Sequence, residues 1–101
     1  EHPNLLHLYM PIELVEEWTK VEKQIYEVVE AFNLSISFVS YTQAEGWYFH
    51  TKNNLRINLG SKLTSKVYKK LSLTLKYIFE KNLTPSIIDL RYRDGAALNY
   101  G

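Results

Sequence analysis

The sequence predicts an α+β domain: a mainly antiparallel sheet, made of a three-strand meander plus a C-terminal hairpin, covered by two amphipathic helices. Three observations carry that prediction. Two long stretches space their apolar residues by three and four, the period of a helix. Three short stretches between them are rich in β-branched and aromatic residues and alternate roughly by two. Near the end, Asp94-Gly95 stands between two apolar runs. That pair is a strong hairpin signal, because glycine accepts the positive φ that tight turns require.

Length and composition set the frame. A chain of 101 residues, 46% hydrophobic and 23% charged, reads as one globular domain spanning 1–101. A net charge of +1 gives no global field pointing to nucleic acid or to a membrane. No run of eighteen apolar residues is present, so no transmembrane helix is expected within the chain. The chain begins at Glu1 rather than Met, so it is expected to be a piece of a longer protein. With no cysteine there are no disulfides and no thiolate metal sites.

Residues 1–10 read as a lead-in, with a short strand expected through Leu5, Leu6 and Leu8. Pro11 suits a first helical turn, where its missing N–H costs nothing. From Ile12 to Phe32 the stripe is Leu14, Val15, Trp18, Val21, Ile25, Val28, Val29 and Phe32. Glu13, Glu16 and Glu17 favour the positive end of that helix, and Asn33 is the expected stop. Ser35 to Thr42, Trp47 to Lys52 and Leu55 to Leu59 are the three meander strands, joined by turns at 43–46 and Asn53-Asn54. Gly60 breaks the third. A second helix is expected from about Lys62 to Lys81, with Leu63, Val67, Leu71, Leu75, Ile78 and Phe79 as its stripe. Thr84-Pro85 ends it, and the terminal hairpin follows over Ile87 to Tyr100.

Catalytic chemistry is hard to assemble from these residues. His2, His7 and His50 share no ligand spacing, so no metal or other cofactor is expected. No nucleophile sits with a base, and the four glycines stand too far apart to cradle a phosphate. The expectation is a protein that is not an enzyme and has no small-molecule substrate. Charge is unevenly placed, with six glutamates on the first helix and six lysines on the second. Lysines without a clustered Arg fork read as a solvated face, and the acidic helix would repel phosphates, so no nucleic-acid partner is expected. Asp89 stands mid-strand on the same face as Ile87 and Arg91, and pairing with Arg91 or with the backbone is expected, a binding role for one partner being the alternative. Asn33-Leu34-Ser35 and Asn82-Leu83-Thr84 match the glycosylation acceptor triplet, which arises easily by chance. The final run, Ala96 to Tyr100, carries no charge and no proline, so as an edge it would invite a partner strand.

Ile88-Asp89-Leu90-Arg91-Tyr92, followed after two residues by Gly95 and a small apolar strand, resembles the C-terminal signature of the FtsQ/DivIB family of bacterial cell-division proteins. Gly46-Trp47, then Asn53-Asn54, then Leu55-Arg56-Ile57-Asn58-Leu59-Gly60 is similar to that family's segment of Trp, turn, apolar strand and Leu-Gly. Met10-Pro11 resembles the Leu-Pro that opens the family's second extracytoplasmic domain. The likeness runs from about Pro11 to Tyr100 and implies the β domain of a membrane-anchored scaffold. It implies a place on the periplasmic side of the inner membrane at the division septum, with the anchor and a POTRA domain outside this chain. It further implies binding of FtsB/FtsL-like division proteins, partly by strand addition, through Arg91, Tyr92, Asp94, Gly95, Leu98, Asn99 and Tyr100. Tyr100 stands where some members have Trp, and Arg93-Asp94-Gly95 replaces the commoner Pro-Asn-Gly. A POTRA-like peptide-binding module of outer-membrane assembly or secretion and a basic-helix nucleic-acid binder are the alternative readings.

Overall fold

Twice the chain leaves the sheet as a helix and returns to it, and that sets the topology. The computed structural model describes residues 7–101. In order, these form β1 (His7–Tyr9), α1 (Ile12–Ala31), β2 (Ile36–Thr42), β3 (Gly46–Thr51), β4 (Arg56–Gly60), α2 (Ser65–Glu80), β5 (Ile87–Asp89) and β6 (Ala97–Asn99). The strands lie in one six-stranded sheet in sequence order, with β1 and β6 at its edges.

The fold is α+β, with two helices and a mixed sheet. The expected meander is present, since β2, β3 and β4 pair antiparallel in succession. The expectation of a mainly antiparallel sheet needs correction, because β1 pairs parallel with β2 and β4 parallel with β5. A helix that packs back along the strand it follows delivers the chain to the starting end, so the next strand runs the same way. Crossovers of this kind share one hand. Both step in the same direction along the sheet, so α1 and α2 fall on the same face. A short strand was expected within residues 1–10, but not its parallel pairing with β2, which makes the first of these units. Leu5 and Leu6, expected in its strand, lie outside the described residues, as does His2.

Between α1, α2 and the sheet lies the core. Register aligns Val39, Phe49, Ile57, Ile88 and Leu98 as one row across five strands. All but Leu98 are buried, and Leu98 packs against the cluster from the edge. The helices contribute Trp18, Ile25 and Val29 from α1 and Leu71, Leu75 and Ile78 from α2, each at the expected helical spacing. Trp18 stacks on Trp47 with ring centroids 6.1 Å apart, and both are fully buried.

Both helices stop the same way. Asn33 and Asn82 adopt positive φ of 60° and 56°. Each donates its N–H back to Glu30 or Phe79, and the leucine after each donates to Val29 or Ile78. Asparagine tolerates the left-handed conformation at this position better than most residues, and the following leucine caps the helix with an apolar contact. Between β2 and β3, Gly46 has φ +80°, and a Cβ there would meet the Gly60 carbonyl carbon at 2.5 Å. Only glycine lets these two backbones approach, which explains physically the Gly46-Trp47 and Leu59-Gly60 pairings of the sequence.

The terminal hairpin differs from its expected form. Strands β5 and β6 do pair antiparallel, Ile88 opposite Leu98. However, residues 90–96 intervene, and Gly95 is not among the glycines with positive φ. Asp94-Gly95 is therefore part of a wider loop rather than a two-residue turn. The cause lies in where residues 90–92 find their partners.

Candidate partner-binding edge

Strand β5 ends because its last residues are held by other groups. Asp89 is buried, and its carboxylate accepts three bonds from Arg91: the backbone N–H at 3.1 Å, Nε at 2.8 Å and Nη2 at 2.6 Å. The two-pronged guanidinium contact holds the Asp89 carboxyl below its usual range, against the opposing effect of burial. The Leu90 N–H donates to the Asn58 carbonyl of β4 at 2.9 Å. Lys70 of α2 donates to the Leu90 carbonyl at 2.8 Å and also to the Tyr92 carbonyl. The Arg91 N–H, which alternation would turn toward β6, is taken by the Asp89 carboxylate, so β5 does not extend its ladder with β6 past Asp89. The Asp89–Arg91 pair was one of the pairings that the sequence left open; the anchoring role of Lys70 was not legible there.

A line of polar contacts crosses the sheet face opposite the helices and ends at this pair. Glu45 accepts from Arg56 at 2.7 Å, and Arg56 donates from Nε to Asn58 at 2.8 Å. Asn58 lies opposite Asp89 in register and helps hold its charge. The Arg56 guanidinium also lies 3.8 Å from the Tyr48 ring centroid. Beside it His50 stacks on Phe38 at 4.6 Å, and burial together with Arg56 pushes the His50 pKa down.

Backbone direction in β6 follows from the bonds of β5. Arg56 donates to the Ser86 carbonyl and Leu90 to the Asn58 carbonyl, so the Ser86 carbonyl and the backbone groups of Ile88 and Leu90 turn toward β4, while the Ser86 N–H turns toward β6. Alternation then turns Ile87 and Asp89 toward β6, where they oppose Asn99 and Ala97. The Asn99 carbonyl accepts from both the Ser86 N–H and the Ser86 hydroxyl, in keeping with that direction. Ala97 and Asn99 are thus spent on β5, and Leu98 directs its N–H and C=O out from the sheet edge.

The seven residues implied by the resemblance form two groups. Leu98 and Asn99 belong to the edge strand, with Tyr100 just beyond it, while Arg91, Tyr92, Asp94 and Gly95 belong to the loop. Tyr92 and Tyr100 are 57% and 56% exposed, so both rings are available as anchors. Arg91 is already bound to Asp89, and its stem passes 3.6 Å from where a Cβ on Gly60 would stand. Its first duty is to hold the loop. Asn99 turns its backbone inward, so it presents only its side chain to a partner.

Between α2 and the loop runs an open cleft of about 460 Å³, lined by Lys66, Lys69, Lys70 and Leu73 on one wall and by Arg93 and Ala96 on the other. A larger hollow of about 620 Å³, which includes Leu34, Phe79, Leu83 and Pro85, is lined by no ionisable residue. Among the described residues there is no group of three or more His, Asp and Glu side chains able to hold a metal ion. Nor is any helix there long and apolar enough to cross a membrane. No protein-family model matches the chain, and a search of curated proteins finds no match.

Proposed function

We propose that this chain is a non-enzymatic scaffold module of the bacterial division machinery that captures a partner segment as an added strand on β6. One observation carries the reading. The sheet ends in a strand that has no charge and no proline, and whose Leu98 backbone groups point outward unpaired by β5. Strand addition draws affinity from such groups and specificity from alternate side chains. A three-residue edge offers few main-chain bonds, so side-chain anchors must supply the rest. Tyr92 and Tyr100 flank the strand and are of the residue type enriched at interface hot spots. The resemblance of the sequence motifs to the FtsQ/DivIB family implies the partner: an FtsB/FtsL-like division protein on the periplasmic side of the inner membrane. The parent protein would be anchored there by a segment outside this chain.

The test is a calorimetric titration with the C-terminal peptide of an FtsB-like protein, circular dichroism being recorded alongside. Tyr100→Ala should leave the fold intact, because the ring is exposed, and weaken binding at least tenfold, about 1.4 kcal/mol. Equal binding by wild type and folded variant would remove Tyr100 from the contact. No binding by wild type would remove the assignment.

A further inference from the structure

The cleft beside the edge strand holds four cations, Lys66, Lys69, Lys70 and Arg93, against one acid, Asp94. Lys70 is committed to the Leu90 and Tyr92 carbonyls. Among the described residues Lys66, Lys69 and Arg93 make no ion pair. Leu73, 58% exposed, adds an apolar patch to the same wall. Like charges gathered in a concave site raise the local concentration of their opposite. The cleft is also continuous with the edge, since Ala96 lines it and immediately precedes β6.

We infer that this cleft receives the carboxylates of an acidic peptide segment, at the end of the incoming strand that runs past Ala96 while its neighbouring residues pair with β6. The inference rests on the proposed strand-addition reading and adds a partner chemistry to it. It also gives the lysines of α2 a role beyond a solvated face. Leu73 accommodates an apolar side chain next to the acids, so the favoured segment alternates acidic and apolar residues there. Such contacts are exposed and weaken as salt rises.

A displayed library of random linear peptides, selected on the 101-residue domain, tests this without knowledge of the natural partner. Enriched peptides should carry Asp or Glu toward one end. Their affinity should fall at least tenfold when Lys66→Glu and Lys69→Glu are combined, and also on Tyr100→Ala. Both lysines are exposed on α2, so circular dichroism should be unchanged. Peptides sensitive to Tyr100→Ala but indifferent to the lysine reversal would overturn the cleft assignment and leave strand addition standing. Peptides sensitive to the lysine reversal alone would break the link to β6 and count against both. Failure to enrich any peptide would overturn both. A single-stranded oligonucleotide binding the cleft more tightly than every selected peptide would overturn the choice of a peptide ligand.

Discussion

Trp18 and Asp89 show how single residues divide the work. Trp18 is fully buried and stacked on Trp47, and its place on the apolar stripe was evident from spacing alone. Trp18→Ala should cost roughly 3–5 kcal/mol in a denaturant titration, as other large core truncations do. A loss under about 1 kcal/mol would mean that α1 does not pack as described. Asp89 works differently, because its burial is tolerable only with a partner. Arg91→Ala removes two charge-assisted bonds but spares the Arg91 backbone N–H, so a loss of about 1–3 kcal/mol is expected at neutral pH. The full penalty for breaking a buried ion pair does not apply, since the Arg91 side chain is 42% exposed. The Asp89 pKa is depressed below its ordinary 3.8 in the folded state, so the pairing stabilises fully above that pH. The stabilisation fades as pH falls through the lower folded value. The gap between wild type and Arg91→Ala should therefore narrow as pH drops below 3.8, a trend that urea titrations at several pH values would read. His50 adds a slope of the same sign for both proteins. Its folded pKa lies below the ordinary 6.5, so the unfolded chain takes up the proton first.

Helices and meander were legible as elements because each repeats one period several times over. The hairpin was legible only in outline. Asp94-Gly95 promised a tight turn, yet Asp89 takes the Arg91 N–H and Lys70 the Leu90 and Tyr92 carbonyls, so residues 90–92 leave the ladder and widen the loop. Nothing in a run of six lysines marks Lys70 as the one that reaches two carbonyls; only the packing of α2 against the loop does. The direction of each backbone group in β6 was likewise invisible from sequence. Period two says which residues share a face, but the bonds of the neighbouring strand say which N–H points outward. The resemblance places Asn99 among the partner contacts. In the structure its backbone faces β5, so Asn99→Pro should strip a bond from the hairpin itself. The expected result is a lower melting temperature and faster amide exchange in β5. Unchanged stability would show the alternation to be drawn the wrong way round.

At the scale of the whole molecule, two β-α-β crossovers flank an antiparallel meander and leave one sheet face to the helices and an open edge at β6. The first crossover escaped the sequence reading because a short strand within residues 1–10 carries no sign of which strand it pairs with or in which direction. The second was masked by the expectation that neighbouring strands in a small sheet run antiparallel. The consequence for function is that the uncharged C-terminal run ends the sheet rather than filling its interior. Leu98 is where this matters most, since its side chain belongs to the core edge while its N–H faces out. The central claim is therefore tested by methylating that one nitrogen, with the C-terminal segment supplied synthetically, and titrating an FtsB-like C-terminal peptide. An unchanged circular dichroism spectrum and binding weakened at least tenfold are expected. Full affinity in the folded N-methyl protein would contradict the claim, because no strand could then be pairing through β6.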